Sequence, residues 1–206
     1  MRDTLPLTSP LVVIIDDDDS VREALLFLMK SMALQAVAFS SARDFLSKYE
    51  NDVPGCIVSD IRMPGTSGLA LQQELLDRGS TTPIIFITGH GDIPMAVEAI
   101  KKGAEDFLTK PFCDQKLLDC INLAIEKDSC RRNEQKKIQS INSRLATLTR
   151  REQQVLEMVT SGKSNKAIAD ALNLSHRTIE VHRSHVMEKM KVGTLADLLV
   201  LLQGIA

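Results

Sequence analysis

Carboxylates at two points of the chain could together do chemistry. Asp16, Asp17, Asp18 and Asp19 follow directly on the aliphatic run Leu11 to Ile15, and Asp60 follows directly on Cys56 to Ser59. Like charges brought close together repel and need a counter-cation. An all-oxygen set suits a hard divalent ion, and Mg2+ is the usual one beside phosphates. Thr88 offers a hydroxyl at the end of another apolar run, and Lys110 offers an ammonium after a fourth, followed by Pro111. A Lys-Pro step raises the chance of a cis bond. A carboxylate nucleophile, a cation, a hydroxyl and an ammonium can together accept and hold a phosphoryl group as an aspartyl phosphate. Taken singly, each residue has a plainer reading: a solvated acidic loop, a β-forming threonine, a Lys-Pro turn. Their joint placement at strand ends makes the signal.

The elements that must position them alternate. Short β-like runs cover Leu11–Ile15, Gln35–Phe39, Cys56–Ser59, Ile84–Thr88 and Asp106–Thr109. Several are continuously apolar, as strands buried on both faces are. Amphipathic helical stretches lie between and after them: Ser20–Met32, Ala42–Tyr49, Leu69–Arg78, Ile93–Lys102 and Asp114–Lys127. Ser41 with Asp44 has helix-capping spacing. Five βα units in order predict an α/β fold, a five-stranded parallel doubly wound sheet with helices on both faces. Ligand sites in such sheets lie at the carboxyl ends of the strands, at the switch point of strand order. If the first and third strands are neighbours, Asp16, Asp17 and Asp60 converge.

Residues 11–128 resemble the receiver domain of two-component response regulators. The resemblance rests on Ile14-Ile15-Asp16-Asp17, on Ser59-Asp60-Ile61-Arg62-Met63-Pro64 with Ser67-Gly68, on Ile87-Thr88-Gly89-His90-Gly91, and on Asp106-Phe107-Leu108-Thr109-Lys110-Pro111-Phe112. It implies a flavodoxin-like fold with Asp60 as the phosphoacceptor from a sensor histidine kinase. It implies that Asp17, Asp60 and the backbone carbonyl of Arg62 bind Mg2+, with Asp16 assisting through water. Thr88 and Lys110 would bind phosphoryl oxygens, and Phe107 would be the aromatic switch residue, a position that Tyr49 does not occupy. Asp18 and Asp19 thicken the acidic run beyond the family's usual pair or triplet and suit a helix start. Arg62 and His90 stand where the family varies and where dephosphorylation is set.

The rest of the chain reads differently. From Ser129 to Thr147 it is polar, with Ile138, Ile141 and Leu145 at helical spacing, a helical linker that could continue the preceding helix. After Leu148 the pattern is wholly helical, broken at Gly162, Asn173 and Gly193. Thr149 and Glu152 have capping-box spacing. Ser164 or Asn165 caps a short helix to Leu172, and Ser175 caps a longer one to about Lys191. Two such helices, the second bearing His176, Arg177, His182, Arg183 and His185, read as a helix-turn-helix. Ile179, Val186 and Met190 would face inward, while Glu180, Val181, Arg183 and Ser184 are candidates for the outward, base-reading face. A small helical bundle with a solvated charged face is the plainer alternative.

This half resembles the LuxR-type DNA-binding domain, through Leu148-Thr149 with Arg151-Glu152 and Val155-Leu156, Gly162, Asn165-Lys166 with Ile168-Ala169, and Leu174-Ser175 with Thr178-Ile179, His182 and Lys189-Met190. It implies that Lys166, Thr178 and His182 contact the DNA backbone and that positions 180, 181 and 184 face the bases. Arg177 and Arg183 join them as candidate DNA contacts. Glu180 stands where many relatives carry a basic residue, and an acid there could accept from cytosine N4.

The expected organisation is therefore a receiver over 1–128, a linker over 129–143 and an all-α helix-turn-helix domain over 144–206. Charge follows it: residues 1–128 carry 12 Lys/Arg against 20 Asp/Glu, and residues 144–206 carry 9 against 6. A mildly basic face suits a phosphate backbone. Through Thr88-Gly89-His90-Gly91-Asp92-Ile93-Pro94-Met95-Ala96-Val97 and Val181-His182-Arg183, the whole resembles the FixJ-like subgroup of transcription regulators. That implies a homodimer on phosphorylation, double-stranded promoter DNA and RNA polymerase as partners, and no enzymatic role beyond self-phosphotransfer and autodephosphorylation. Hydrophobic residues at 44% and charged residues at 25% are ordinary for a globular chain and argue against disordered or fibrous classes. No apolar run reaches the roughly 20 residues of a membrane span, and Met1 to Pro10 lacks a signal-peptide core. Cys56, Cys113, Cys120 and Cys130 show no metal-ligand spacing and read as free, buried or half-buried thiols of a cytoplasmic protein. Two other readings stay open. A DNA-binding regulator could carry a receiver that ignores phosphate. A Mg2+-dependent aspartyl-phosphate phosphatase would need a second carboxylate two residues after Asp60, where Arg62 stands.

Overall fold

A computed structural model describes residues 9–49, 52–89 and 93–204. The chain divides into two units, Met1–Arg131 and Arg132–Ala206. In the first, five strands alternate with helices: β1 (Leu11–Ile15), α1 (Asp19–Ser31), β2 (Gln35–Phe39), α2 (Ala42–Lys48), β3 (Gly55–Asp60), α3 (Gly68–Asp77), β4 (Ile84–Thr88), α4 (Ile93–Lys101), β5 (Asp106–Thr109) and the start of α5 (Asp114–Ala146). The strands are parallel in the order β2-β1-β3-β4-β5. The order reverses between β1 and β3, so those two strands are neighbours, as the convergence of their aspartates requires.

Alternation along buried strands sorts side chains to two faces. Val13, Ile15, Ile57 and Phe86 pack with Phe45 of α2, Leu71 of α3 and Ala99 of α4. Val12, Ile14, Val58, Ile85 and Ile87 pack with Leu25 and Met29 of α1 and with Leu117, Ile121 and Ala124 of α5. Asp18 caps α1, accepting from the Ser20 and Val21 N–H groups, and Ser41 caps α2 through the Asp44 N–H. The extra aspartates of the acidic run thus serve a helix start: Asp18 as cap, and Asp19 as the first helical residue, ion-paired to Arg22.

Stretch 129–143 forms no element of its own, because the 33-residue helix α5 runs through it without a break. The second unit holds the end of α5 with α6 (Arg150–Thr160), α7 (Asn165–Leu172), α8 (His176–Met190) and α9 (Leu195–Gln203). Ile141, Leu148, Leu156, Val186, Met190 and Leu198 form one cluster, and Val155, Val159, Ile168, Ala169 and Ile179 another. Thr149 and Glu152 make the expected capping box on α6, and Ser164, not Asn165, caps α7. Among the described residues no helix is long and apolar enough to cross a membrane. The reading of the N-terminus falls largely on residues 1–8, outside the described residues.

All four cysteines are free. Cys56 and Cys120 are buried as expected, but Cys113 and Cys130 are exposed, because they lie on turns of α5 or just before it that nothing covers. Burial pushes the Cys56 thiol up to about 12.

Gly68 is the glycine the site depends on. A Cβ there would lie 2.4 Å from the Asp60 carbonyl oxygen and 2.9 Å from the Phe86 ring. The β3 terminus and the start of α3 can approach this closely only without a side chain. Gly68→Ala is expected to destabilise the first unit by about 2 kcal/mol through overpacking, read by denaturant unfolding. Unchanged stability would mean that the loop moves aside freely.

Candidate functional site

Strand register brings the carboxyl ends into line. Ile15 pairs with Ser59, Asp60 with Ile87, and Thr88 with Thr109. Asp16 and Lys110 each come one residue past a paired end. Asp16, Asp17 and Asp60 therefore gather, each offering a carboxylate oxygen, with those oxygens all within 4.8 Å of one another. It is the one such cluster among the described residues. Asp16 is fully buried, Asp17 is exposed and the Asp60 side chain is 13% exposed.

Lys110 Nζ donates to Asp16 Oδ2 at 2.7 Å and reaches Asp60 Oδ2 at 3.4 Å. Burial opposes the charge on Lys110, but Asp16, and then Asp60, outweigh it and hold the ammonium above the ordinary lysine range. One ammonium against three carboxylates leaves two negative charges over. A divalent cation with oxygen preference would neutralise them, and the exposed Asp17 leaves an entry side. The donor set therefore fits a hard metal ion. Its other Asp16 oxygen accepts the Asp18 N–H at 2.9 Å, and Arg22 holds the Asp16 carbonyl at 2.6 Å. The Arg62 N–H donates to Asp60 Oδ1 at 3.2 Å, which lays the Arg62 backbone beside the cluster. Thr88 is buried at the end of β4. The Lys110–Pro111 bond is cis, as the Lys-Pro step suggested. Phe107 is half-buried against the core on the α2–α4 face. Tyr49 lies apart from it, stacked on Phe45. His90 lies outside the described residues.

Sequence reasoning missed one group in this unit. At the opposite end of the sheet, Asp128 accepts the Gly55 N–H at 2.8 Å and pairs with Arg131, which also binds the Thr81 carbonyl. Asp52 accepts from Ser80, Thr81 and Thr82. Burial raises the Asp52 carboxyl, but these donors outweigh it and lower it to about 2. Apart from the Asp128–Arg131 pair, the partners are 28 or more residues apart, so no local pattern announces them.

In the second unit the turn between α7 and α8 passes through Asn173 in the left-handed region, φ 55°. Such a turn favours Asn or Gly. Ser175 caps α8. Ile179, Val186 and Met190 are buried as expected. Lys166, Arg177, Glu180, Val181 and Ser184 are exposed, and Thr178 and His182 are half-buried. Among the described residues, Nδ1 of His182 is buried with no hydrogen-bond partner. His176 Nδ1 lies 3.4 Å from Glu180 Oε1. Arg183 departs from the outward face expected of it: it is half-buried, and its guanidinium donates to Asn165 Oδ1 on α7. No sequence pattern announced the Lys189 Nζ bond to Glu152 Oε2 at 2.6 Å, because the two are 37 residues apart.

Comparison with known proteins agrees with both halves. Residues 12–122 match the response regulator receiver domain, and residues 146–202 match the bacterial regulatory proteins of the luxR family. The chain is 47% identical to nodulation protein W of Bradyrhizobium diazoefficiens, over 93% of this chain and 85% of that protein. It is 44% identical to the transcriptional regulatory protein FixJ of Azorhizobium caulinodans, over 100% of this chain and 96% of that one. The solved structure of the response regulator StyR superposes with a TM-score of 0.91 at 42% identity, covering 95% of this chain and 99% of the other.

Proposed function

Since the chain belongs to the response regulators that join a receiver to a LuxR-type DNA-binding domain, we propose that Asp60 takes a phosphoryl group from a sensor histidine kinase and that this promotes dimerisation and controls sequence-specific binding to promoter DNA. The observation that carries the reading is the convergence of Asp60 with Asp16, Asp17 and Lys110 at the switch point of the sheet.

An Asp60 carboxylate oxygen attacks the phosphorus of the phosphohistidine. A P–O bond forms, the P–N bond breaks, and the electron pair leaves on the imidazole. Asp17, Asp60 and the Arg62 carbonyl, with Asp16 behind them, would hold Mg2+, which would offset charge on the phosphoryl oxygens. Lys110 and the Thr88 hydroxyl hold those oxygens. The new group adds charge and acceptor oxygens. Thr88 moves toward it and Phe107 repacks from its half-buried position. The surface this biases lies on α4, β5 and α5, and Ile93, Val97 and Ile100 of α4 are exposed there, at 81%, 45% and 47%. Dimerisation on that surface brings two α8 helices to half-sites about one DNA turn apart. The natural division of labour is a receiver through residue 128, a linker through 143 and the DNA-binding domain beyond. Catalysis is confined to the chain's own phosphotransfer and autodephosphorylation.

Lys166, Thr178 and His182 hold backbone phosphates, Arg177 joins them, and Glu180, Val181 and Ser184 face the bases. The relatives' naming as transcription regulators supports RNA polymerase as the downstream partner, and a DNA-binding regulator works in the cytoplasm. Treatment with acetyl phosphate and Mg2+ is expected to shift the solution mass from monomer to dimer and to tighten binding to a selected duplex. Phosphorylation without either change would favour the receiver that ignores phosphate. Glu180→Ala is expected to relax sequence preference while leaving non-specific binding intact, because the carboxylate accepts from a cytosine N4 donor. An unaltered preference in a binding selection would refute that role.

A further inference from the structure

Arg183 carries a cation on the helix that reads DNA, yet its guanidinium is engaged within the protein. Nη1 donates to Oδ1 of Asn165, the first residue of α7, and both side chains are half-buried. Of the other candidate contacts, Lys166, Arg177, Glu180, Val181 and Ser184 are exposed, and Thr178 and His182 are half-buried as Arg183 is, so what sets Arg183 apart is its bond to α7. We propose that Arg183 is a positioning residue, bracing the recognition helix against the start of α7 through Asn165, and is not itself a phosphate or base contact. This rests on the DNA-binding reading above.

The geometry of the motif gives the brace its leverage. The turn at Asn173 to Ser175 ties the end of α7 to the start of α8. Asn165 lies eight residues before Asn173, and Arg183 lies eight after Ser175. At about 1.5 Å per helical residue, each is about 12 Å from the turn. The Arg183–Asn165 bond therefore closes a triangle whose other sides are the two helices. Ile168 and Ile179 pack in the same cluster inside it. Apolar packing is non-directional and tolerates small rotations, whereas a charge-assisted hydrogen bond at the open end fixes the crossing angle. That angle sets where Lys166, beside Asn165, and Ser164, the cap of α7, stand relative to Glu180 and Ser184 of α8. A phosphate-holding end and a base-reading face are thereby held in one register. Loosening by a fraction of an ångström is felt in such a site.

Salt dependence separates a brace from a phosphate contact. A lost phosphate contact flattens the slope of log affinity against log salt by about 0.9. A lost brace weakens binding and leaves the slope alone. The test uses the full chain, treated with acetyl phosphate and Mg2+, on a duplex selected with the wild type, and compares Arg183→Ala, Asn165→Ala, the double variant and Asn165→Gln. The expected result is about a tenfold loss for each alanine variant, of the order of one charge-assisted hydrogen bond, and no further loss in the double. The salt slope should match the wild type, and Asn165→Gln, which keeps a carbonyl acceptor, should recover most of the affinity. Melting temperatures are measured alongside, and a loss that appears in melting alone, with DNA affinity intact, overturns the positioning role. Additive losses, or a slope flattened by Arg183→Ala with Asn165→Ala silent, make Arg183 a direct contact and overturn the brace while leaving the DNA-binding reading intact. A wild-type chain that binds no duplex overturns both.

Discussion

Asp60→Ala is expected to abolish covalent phosphorylation by acetyl phosphate and by any cognate kinase, and with it the donor-dependent dimer. The neighbouring carboxylates are poor substitutes, each for its own reason. Asp16 is fully buried, and both of its oxygens are engaged, one by Lys110 Nζ at 2.7 Å and the other by the Asp18 N–H at 2.9 Å. Asp17 is exposed, so its carboxylate is solvated and lacks the Lys110 ammonium that Asp60 has at 3.4 Å. The substitution also removes one of three crowded negative charges, so folding should not suffer. In the absence of divalent cation the variant is expected to melt at or above the wild-type temperature, because like-charge repulsion falls while Lys110 keeps Asp16. Intact-protein mass settles the first expectation, and thermal melting with and without Mg2+ settles the second. A variant that still gains one phosphoryl group per chain would move the acceptor elsewhere.

The second large effect belongs to Glu152. Its carboxylate is 4% exposed and accepts from Lys189 Nζ at 2.6 Å and from the Thr149 N–H at 2.7 Å, with His185 Nδ1 at 3.7 Å from the other oxygen. One side chain thus closes the N-terminal box of α6 and anchors the last turn of α8. Glu152→Ala keeps the Thr149 cap but removes the acceptor of the Thr149 N–H, and it leaves Lys189, a third of which is exposed, with the Thr147 carbonyl and water. Loss of half the capping box and a broken, partly buried pair together should cost about 3 kcal/mol. For a unit of this size that lowers the melting temperature by roughly 15 °C. Sequence-specific DNA binding should fall with it, because α8 loses its far anchor. A change of only a degree or two would show that water replaces the carboxylate readily.

The same carboxyl makes a pH prediction. Lys189, opposed by burial and helped by the Thr149 donors, lowers Glu152 from 4.5 to about 2. The folded value lies below the unfolded one, so the carboxylate's stabilisation is complete above about pH 4.5. It is lost progressively as pH falls toward 2. Wild type should therefore lose stability of the second unit across that window, and Glu152→Gln should show a flatter profile over the same range. Identical slopes would assign the acid sensitivity to other carboxylates of the second unit.

Much of this protein was legible in its sequence because the signals are local. A strand buried on both faces must be continuously apolar, so β1 and β4 could be placed to the residue, and β3 was read one residue short at each end. Caps are set within four residues, so Ser41, Thr149, Ser164 and Ser175 marked helix starts, although Ser164 and Asn165 could not be told apart without the backbone. The order of βα units predicted a parallel sheet, and the residues after the strands indicated the chemistry. The limit was reached where partners are distant in sequence. Glu152 and Lys189, 37 residues apart, showed nothing in the pattern that would pair them.

Residue types and their order determined that carboxylates, a hydroxyl and an ammonium would stand at the ends of buried strands, and that a capped helix rich in basic residues and histidine would follow a short one. Only the tertiary structure decided which of these groups meet. Strand order and register brought Asp16, Asp17, Asp60 and Lys110 together across as many as 94 residues, and packing of α7 on α8 turned Arg183 onto Asn165. The physical reason is range. Propensity, capping and apolar periodicity act over a few residues, whereas a hydrogen bond or ion pair forms wherever the fold places donor and acceptor within about 3 Å, whatever the chain length between them.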